Sequence, residues 1–315
     1  MRILIWHVHA AWTTAFVAGR HDYVVPVLPD RGPFGRGRAR TYRWPANVVE
    51  ATPDELAALD VDVVVLQRPE EERLARQWLG RAVPTVYVEH NTPKGDVPFT
   101  RHPAADRADL TIAHVTHFNS LMWDCGSTAT RVIEHGVPMP APRWTGELAR
   151  IAVVTNEPVR RGRVTGTDLI ARFAEVAPVD VYGLGVVDLA GPGITTHEDP
   201  DQAVMHAELA RRRVYLHLPR WTSLGLSLVE AMHIGCPIVA VAATEVPAVV
   251  PPEAGAVSAD VDELVEATRT LIADPVAAAR AGAIARAAAG RFTLDRFLAD
   301  WDGLLHEIAR ARTAA

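Results

Sequence analysis

Arg220-Trp221-Thr222-Ser223-Leu224-Gly225-Leu226-Ser227-Leu228-Val229-Glu230-Ala231-Met232-His233-Ile234-Gly235-Cys236-Pro237 is bracketed by two apolar, β-branched runs, Val214 to Leu218 and Ile238 to Val241. After the first run the chain passes through small and polar residues into a helical stretch, Gly225 to Ile234. A Gly-x-Pro at 235–237 then stops it. Strand, helix and strand within about thirty residues form a βαβ unit, and its two strands must run parallel.

The same alternation extends in both directions. In the first half, strands are expected at Arg2 to Trp6, Tyr23 to Val27, Val61 to Leu66, Thr85 to Val88, Leu110 to Ala113 and Arg131 to Ile133. The last four are nearly continuous apolar runs, as buried parallel strands are. Helices are expected at Pro53 to Ala58, with Thr52 as N-cap, and at Glu70 to Leu79. Pro29 to Arg43 is arginine-rich without periodicity and reads as a long loop. Pro138-Met139-Pro140-Ala141-Pro142 cannot sit centrally in a sheet and reads as a linker. Beyond it come strand Ile151 to Val154, helix Asp168 to Ala177, strand Val179 to Tyr182, helix Pro200 to Arg211, the quoted unit, and helices Val261 to Ala273 and Pro275 to Ala289. The final helix, Leu294 to Ala311, is amphipathic, with Phe297, Trp301, Leu304, Leu305 and Ile308 on one stripe. The fold class is therefore α/β, with two Rossmann-like parallel-sheet domains, 1–140 and 145–293. Their strand ends are expected to face a crevice, where open α/β sheets bind ligands.

Composition bounds the function. With 315 residues, 49% hydrophobic and 22% charged, the chain exceeds what a single core of roughly 250–300 residues supports. A formal charge of −6 and no basic tail argue against nucleic acid as a partner. Cys125 and Cys236 have no Cys or His at ligand spacing, so neither a disulfide framework nor a zinc site is expected, and a cytoplasmic location fits. The run from Met1 to Trp6 is interrupted by His7 and His9. The stretch from Cys236 to Val257 holds Glu245, Glu253 and three prolines, so no integral membrane segment is expected.

The quoted segment also suggests chemistry. A helix N-terminus offers unpaired amides and about half a positive charge, which suits a diphosphate. Glu230, about a turn inside the helix, suits sugar hydroxyls instead. A nucleotide sugar satisfies both. The segment resembles the C-terminal signature of family-4 retaining glycosyltransferases of GT-B fold, in which Glu-Gly-Phe-Gly is followed, after four residues, by Glu-Ala-Met-Ala-x-Gly-x-Pro-Val-Val. Here it reads Thr222-Ser223-Leu224-Gly225, then Glu230-Ala231-Met232-His233-Ile234-Gly235-Cys236-Pro237-Ile238-Val239. Arg131 to Val137 looks like the family's Val-Ile-Pro-Asn-Gly-Val boundary, and Leu264 to Pro275 like its helix ending in Asp-Pro.

The resemblance implies a donor site at Thr222, Ser223, Leu224, Gly225, Leu226, Glu230 and Gly183, with Glu230 on the ribose. The family's donor-positioning Glu is replaced by Thr222, and its phosphate-binding Lys by Thr165. Lys94 is the chain's one lysine, so Arg160, Arg161 and Arg163 are expected to supply the charge. His90, where a strand ends, is the catalytic candidate. The loop after the first strand makes His9, Ala10, Ala11, Trp12 and Thr13 acceptor-side candidates. Of eight tryptophans, Trp6, Trp78 and Trp301 fall in core patterns. Trp12, Trp44 and Trp221 fall in loops and are candidates for stacking on sugar. By the same resemblance the segment 294–315 crosses back onto the first domain. The resemblance implies an enzyme that transfers a sugar from a nucleotide-diphosphate donor, with retention and without metal or other cofactor, to a small-molecule, glycan or lipid-linked acceptor. A nucleotide-sugar 2-epimerase and a binding protein with a degenerate site share the architecture and remain alternatives.

Overall fold

The computed structural model describes residues 1–40 and 42–311. Thr41 of the arginine-rich loop and residues 312–315 at the end of the 294–315 segment lie outside the described residues. Two compact units emerge: unit 1 is Met1–Val137 together with the segment from Leu294, and unit 2 is Pro138–Thr293.

The strands of unit 1 are β1 (Arg2–Ile5), β2 (Asp22–Pro26), β3 (Val48–Ala51), β4 (Val63–Leu66), β5 (Thr85–Glu89), β6 (Leu110–His114) and β7 (Ala129–Val132). They pair in the order β3-β2-β1-β4-β5-β6-β7, all parallel. Central β4, all Val and Leu, is buried at every position, as a strand covered on both faces must be. The helices are α1 (Ala10–Val17), α2 (Pro53–Ala58), α3 (Glu70–Leu79) and α4 (His117–Met122). The N-cap expected at Thr52 is present and belongs to a capping box: Glu55 accepts from the Thr52 amide at 2.7 Å while the Thr52 hydroxyl accepts from the Glu55 amide. α3 ends at Gly80, whose φ of 65° is the left-handed conformation that glycine adopts without strain.

Unit 2 has β8 (Leu148–Val154), β9 (Val179–Gly183), β10 (Ile194–Glu198), β11 (Arg212–His217), β12 (Ile238–Val241) and β13 (Gly255–Ser258), in the parallel order β10-β9-β8-β11-β12-β13. Its helices are α5 (Pro158–Arg161), α6 (Ile170–Ala174), α7 (Gln202–Arg211), α8 (Leu226–Ile234), α9 (Val246–Val249), α10 (Val261–Ala273) and α11 (Pro275–Ala289). Buried Asp180 on β9 ties neighbouring strands together, accepting from Arg150 of β8 at 2.6 and 2.7 Å and from Arg212 of β11 at 2.9 Å. Burial alone would raise its pKa, but the two guanidiniums hold it below the ordinary carboxylate value. The alanines of α11 allow close approach to α8. A Cβ on Gly282 would lie 2.1 Å from the Gly235 carbonyl oxygen.

Seven elements went unread in the sequence: α1, β3, α4, α5, β10, α9 and β13. Two of these strands, β3 and β10, are sheet edges with mixed exposure, and β13 is a four-residue edge beginning at glycine. α1 is apolar on most sides, so no 3.6-residue stripe marks it. The helix expected from Asp168 to Ala177 is a 3₁₀ turn, Thr167–Leu169, followed by the short α6.

The last helix, α12 (Leu294–Ala311), packs into the core of unit 1. Its Trp301 meets Trp12 and Phe16 of α1 edge-on at 5.6 and 5.1 Å, and Phe297 meets Trp12 at 6.0 Å. Trp301 is 2% exposed. Trp301→Ala is expected to destabilise the protein by about 3–5 kcal/mol, read as a lower urea midpoint.

Candidate active site

Both sheets carry the strand order 3-2-1-4-5-6, which reverses between β1 and β4 in unit 1 and between β8 and β11 in unit 2. Crossovers leave each reversal in opposite directions, so the backbone at those strand C-termini diverges and leaves room for a ligand. In unit 1 the segments that hold His9 and Gln67 follow the two strands of the reversal, and in unit 2 the arginine loop and the loop before α8 do so.

In unit 1, β5 delivers His90 directly after Glu89. The Gln67 amide, beyond the end of β4, donates to the Trp6 carbonyl at 2.7 Å, which turns its oxygen toward His90. His90 Nε2 lies 3.0 Å from that oxygen and therefore carries the proton. Glu89 pins the turn: it accepts from the Asn91 amide at 2.6 Å and from His102 Nε2 at 3.1 Å. The His90 ring packs against His9 at 4.2 Å and edge-on to Trp12 at 4.8 Å. It is 8% exposed, and burial holds its pKa well below the ordinary 6.5, so it is neutral.

The structure thus brings His9, Trp12 and His90 together but alters the reading of the segment after β1. Trp12 and Thr13 lie on α1 rather than in a loop, at 2% and 0% exposure, so neither presents a surface to sugar. Their burial follows from α1 and α12 sharing one aromatic core. His9, Ala10 and Ala11 remain at the N-terminus of α1, which has no side-chain cap and no acidic first turn. Trp44 is buried too, donating to the Thr14 hydroxyl at 2.8 Å, whereas Trp221 keeps partial exposure.

In unit 2 the N-terminus of α8 follows β11 through Thr222 to Gly225. Gly225 is the N-cap, no side chain caps the helix, and its first turn has no acid, so its amides remain available to an anion. A Cβ on Gly225 would lie 2.9 Å from the buried His217 ring. Ser223 and Leu224 are buried, and Thr222 and Leu226 partly so. Glu230, 5% exposed, accepts from Gln202 of α7 at 2.8 Å, and His206 Nε2 lies 3.2 Å from its other oxygen. Gly183 ends β9 with φ 140°, and a Cβ there would strike the Thr155 carbonyl oxygen at 2.0 Å.

The three arginines differ. Arg160 pairs with Glu157 and Arg163 with Asp168, both largely exposed. Arg161 is partly buried, and its guanidinium has neither hydrogen bond nor ion pair among the described residues. Burial, then neighbouring Arg160, lowers its pKa. Thr165, in the lysine position, is buried with its hydroxyl donating to the Gly162 carbonyl at 3.0 Å. Sequence reading missed Arg220, which grips Asp168 at 2.6 and 3.0 Å and donates to the Arg163 carbonyl at 2.9 Å. It ties the arginine loop to the loop before α8. Gln202 and His206 were also missed, although their i,i+4 spacing on α7 is a legible signal.

Residues 187–274 match the family model described as glycosyl transferases group 1. The matched region lies wholly within unit 2. It contains α7, α8 and the whole Thr222–Glu230 arrangement. Among solved structures, the chain is similar to sucrose-phosphate synthase from Thermosynechococcus elongatus (14% identity, 99% of this chain and 100% of that one, TM-score 0.74). It is similar to HepE from Anabaena in complex with UDP (14%, 98% and 100%, TM-score 0.71) and to TarM from S. aureus in complex with fondaparinux, alpha-GlcNAc-glycerol and UDP (13%, 77% and 55%, TM-score 0.61). At such identity the likeness establishes the fold, which is GT-B. No curated protein matches by sequence.

Burial also lowers the imidazoles of His114 and His217 to about 4 and that of His135 to about 3. Unfolded, these rings bind protons near the ordinary 6.5; folded, they resist protonation to about pH 4 or below. The unfolded state therefore binds more protons in that window. Stability is full above pH 6.5 and is lost as pH falls toward 4. The melting temperature should fall across this range, and less steeply in His135→Gln.

Proposed function

We propose that the protein transfers a sugar from a nucleotide-diphosphate donor to an acceptor hydroxyl, with retention of anomeric configuration. The observation that carries this reading is the pairing of an uncapped α8 N-terminus with a buried Glu230 carboxylate inside the matched region. The α8 amides and the Arg161 guanidinium would stabilise the leaving diphosphate, so no metal or other cofactor is assigned to the reaction. Glu230, held by Gln202, keeps lone pairs for the ribose hydroxyls. UDP in the solved HepE and TarM complexes, and UDP-glucose in another HepE structure, make a uridine nucleotide the first donor to try.

With both retained configuration and no carboxylate assigned as nucleophile, the favoured course is front-face substitution through an oxocarbenium-like state. The departing phosphate would take the acceptor proton. His90, neutral and fixed by Gln67, would be the catalytic histidine, hydrogen-bonding a sugar hydroxyl. The acceptor, small molecule, glycan or lipid-linked, approaches from the side of His9. Among the described residues no helix is long and apolar enough to cross a membrane. The buried free thiols of Cys125 and Cys236 fit action in a reducing cytoplasm.

A second reading, a nucleotide-sugar binding protein without turnover, is favoured by Thr222 and Thr165 at positions where the family has charges. Incubation with a nucleotide-sugar panel separates the two. Turnover releases nucleoside diphosphate and yields product with the donor's anomeric configuration. Binding without release in the presence of an acceptor panel favours the second. In the active protein, His90→Ala should lower kcat about a hundredfold or more with nucleotide affinity nearly unchanged. Arg161→Ala should raise the donor KM roughly tenfold, whereas Arg160→Ala and Arg163→Ala, whose side chains already have partners, should change it little.

A further inference from the structure

We propose that His21, Asp302 and His306, none of them a donor or acceptor candidate, form a binding site for a divalent transition metal of the zinc class at the seat of α12 in unit 1. One ligand atom from each residue lies within 4.8 Å of the other two. His21 Nε2 and His306 Nδ1 stand 3.0 and 3.5 Å from the same carboxylate oxygen of Asp302. Neighbouring ligands of a tetrahedral ion with bonds of 2.0–2.1 Å are about 3.3 Å apart, so these spacings need only small adjustment. Two imidazoles and one carboxylate are also a donor set that zinc-class ions accept, with water completing the shell.

A second observation points to a ligand. His21 is 6% exposed, and its Nε2 makes no hydrogen bond: the approach to Asp302 is close but not aligned as one. A buried ring nitrogen without a partner is costly unless something binds it. A cavity of about 410 Å³, lined by Phe16, Arg20, His21, Tyr23, Trp301 and Asp302 among others, adjoins it and has room for an ion and its waters.

Two present contacts must yield. Arg20 grips both Asp302 oxygens, at 3.1 and 2.6 Å, but its side chain is 72% exposed and can swing into solvent. His306 Nδ1 donates to the Asp302 carbonyl at 2.7 Å; on binding, its proton moves to Nε2 and the Nδ1 lone pair turns to the metal. The bound ion would fasten the end of the chain to the turn before β2, stabilising the packing of α12.

The test uses the full-length protein stripped with chelator and titrated with Zn²⁺, and with Co²⁺ as a spectroscopic probe. The expected result is one micromolar or tighter site per chain, a visible Co²⁺ absorption band and a higher melting temperature with Zn²⁺. His306→Ala, at a half-exposed position, should weaken binding at least about tenfold and abolish the band, and Arg20→Gln should tighten it by removing the competing cation. Zn²⁺ affinity unaltered by both substitutions, or no site at micromolar Zn²⁺ in either the unaltered protein or Arg20→Gln, would overturn the proposal. If His306→Ala fails to fold without metal, Arg20→Gln and His21→Gln carry the comparison.

Discussion

The obligation of each interior parallel strand to pair its backbone on both sides, with crossovers that return on one hand, governs this protein. It forces helices onto both faces of the two sheets and makes central β4 wholly apolar. It also leaves one kind of place in each sheet where backbone diverges, the reversal beside β1 and beside β8. Polar chemistry is concentrated there because elsewhere the layers are closed. Gln67 and His90 in unit 1, and Thr155 and Gly183 in unit 2, are strand-end residues, while His9 and the α8 N-terminus lie in the connections that follow β1 and β11.

Charge is handled with the same economy of position. Most arginines near the candidate donor site already have acidic or carbonyl partners: Arg160 on Glu157, Arg163 and Arg220 on Asp168. Arg161 stands apart, half-buried with a guanidinium that makes neither an ion pair nor a hydrogen bond among the described residues. Opposite in kind is Glu230, a carboxylate that burial would destabilise without Gln202 and His206 beside it. In the proposed donor site, the partnered Glu230 carboxylate, the Arg161 guanidinium and the uncapped α8 amides would offer both signs to a ligand that carries hydroxyls and phosphate.

Much of this was legible one segment at a time. Apolar runs located β4, β5 and β6. Thr52-Pro53 located the start of α2, and the Gly-x-Pro stop located the end of α8. Edge strands β3 and β10 were not legible, since half-exposed edges lack the uniform apolarity that marks central strands. Trp12 was misplaced for a related reason. From sequence it sits in a glycine-free loop after a strand, yet its neighbours Phe297 and Trp301 come from the other end of the chain.

By itself, then, the sequence determined the alternation of strand and helix, the helix termini, the absence of lysine from the candidate phosphate site and the residue types at each strand end. These are local properties, set by side-chain periodicity, backbone preference and composition. The tertiary structure alone decided which of the arginines beside the candidate donor site has no hydrogen bond or ion pair among the described residues, which tautomer His90 holds, that Thr13 and Trp12 are core, and that His21 meets His306. Each of those depends on groups brought together from distant parts of the chain, and burial, hydrogen-bond partnership and ionisation are properties of that assembled environment rather than of any one segment.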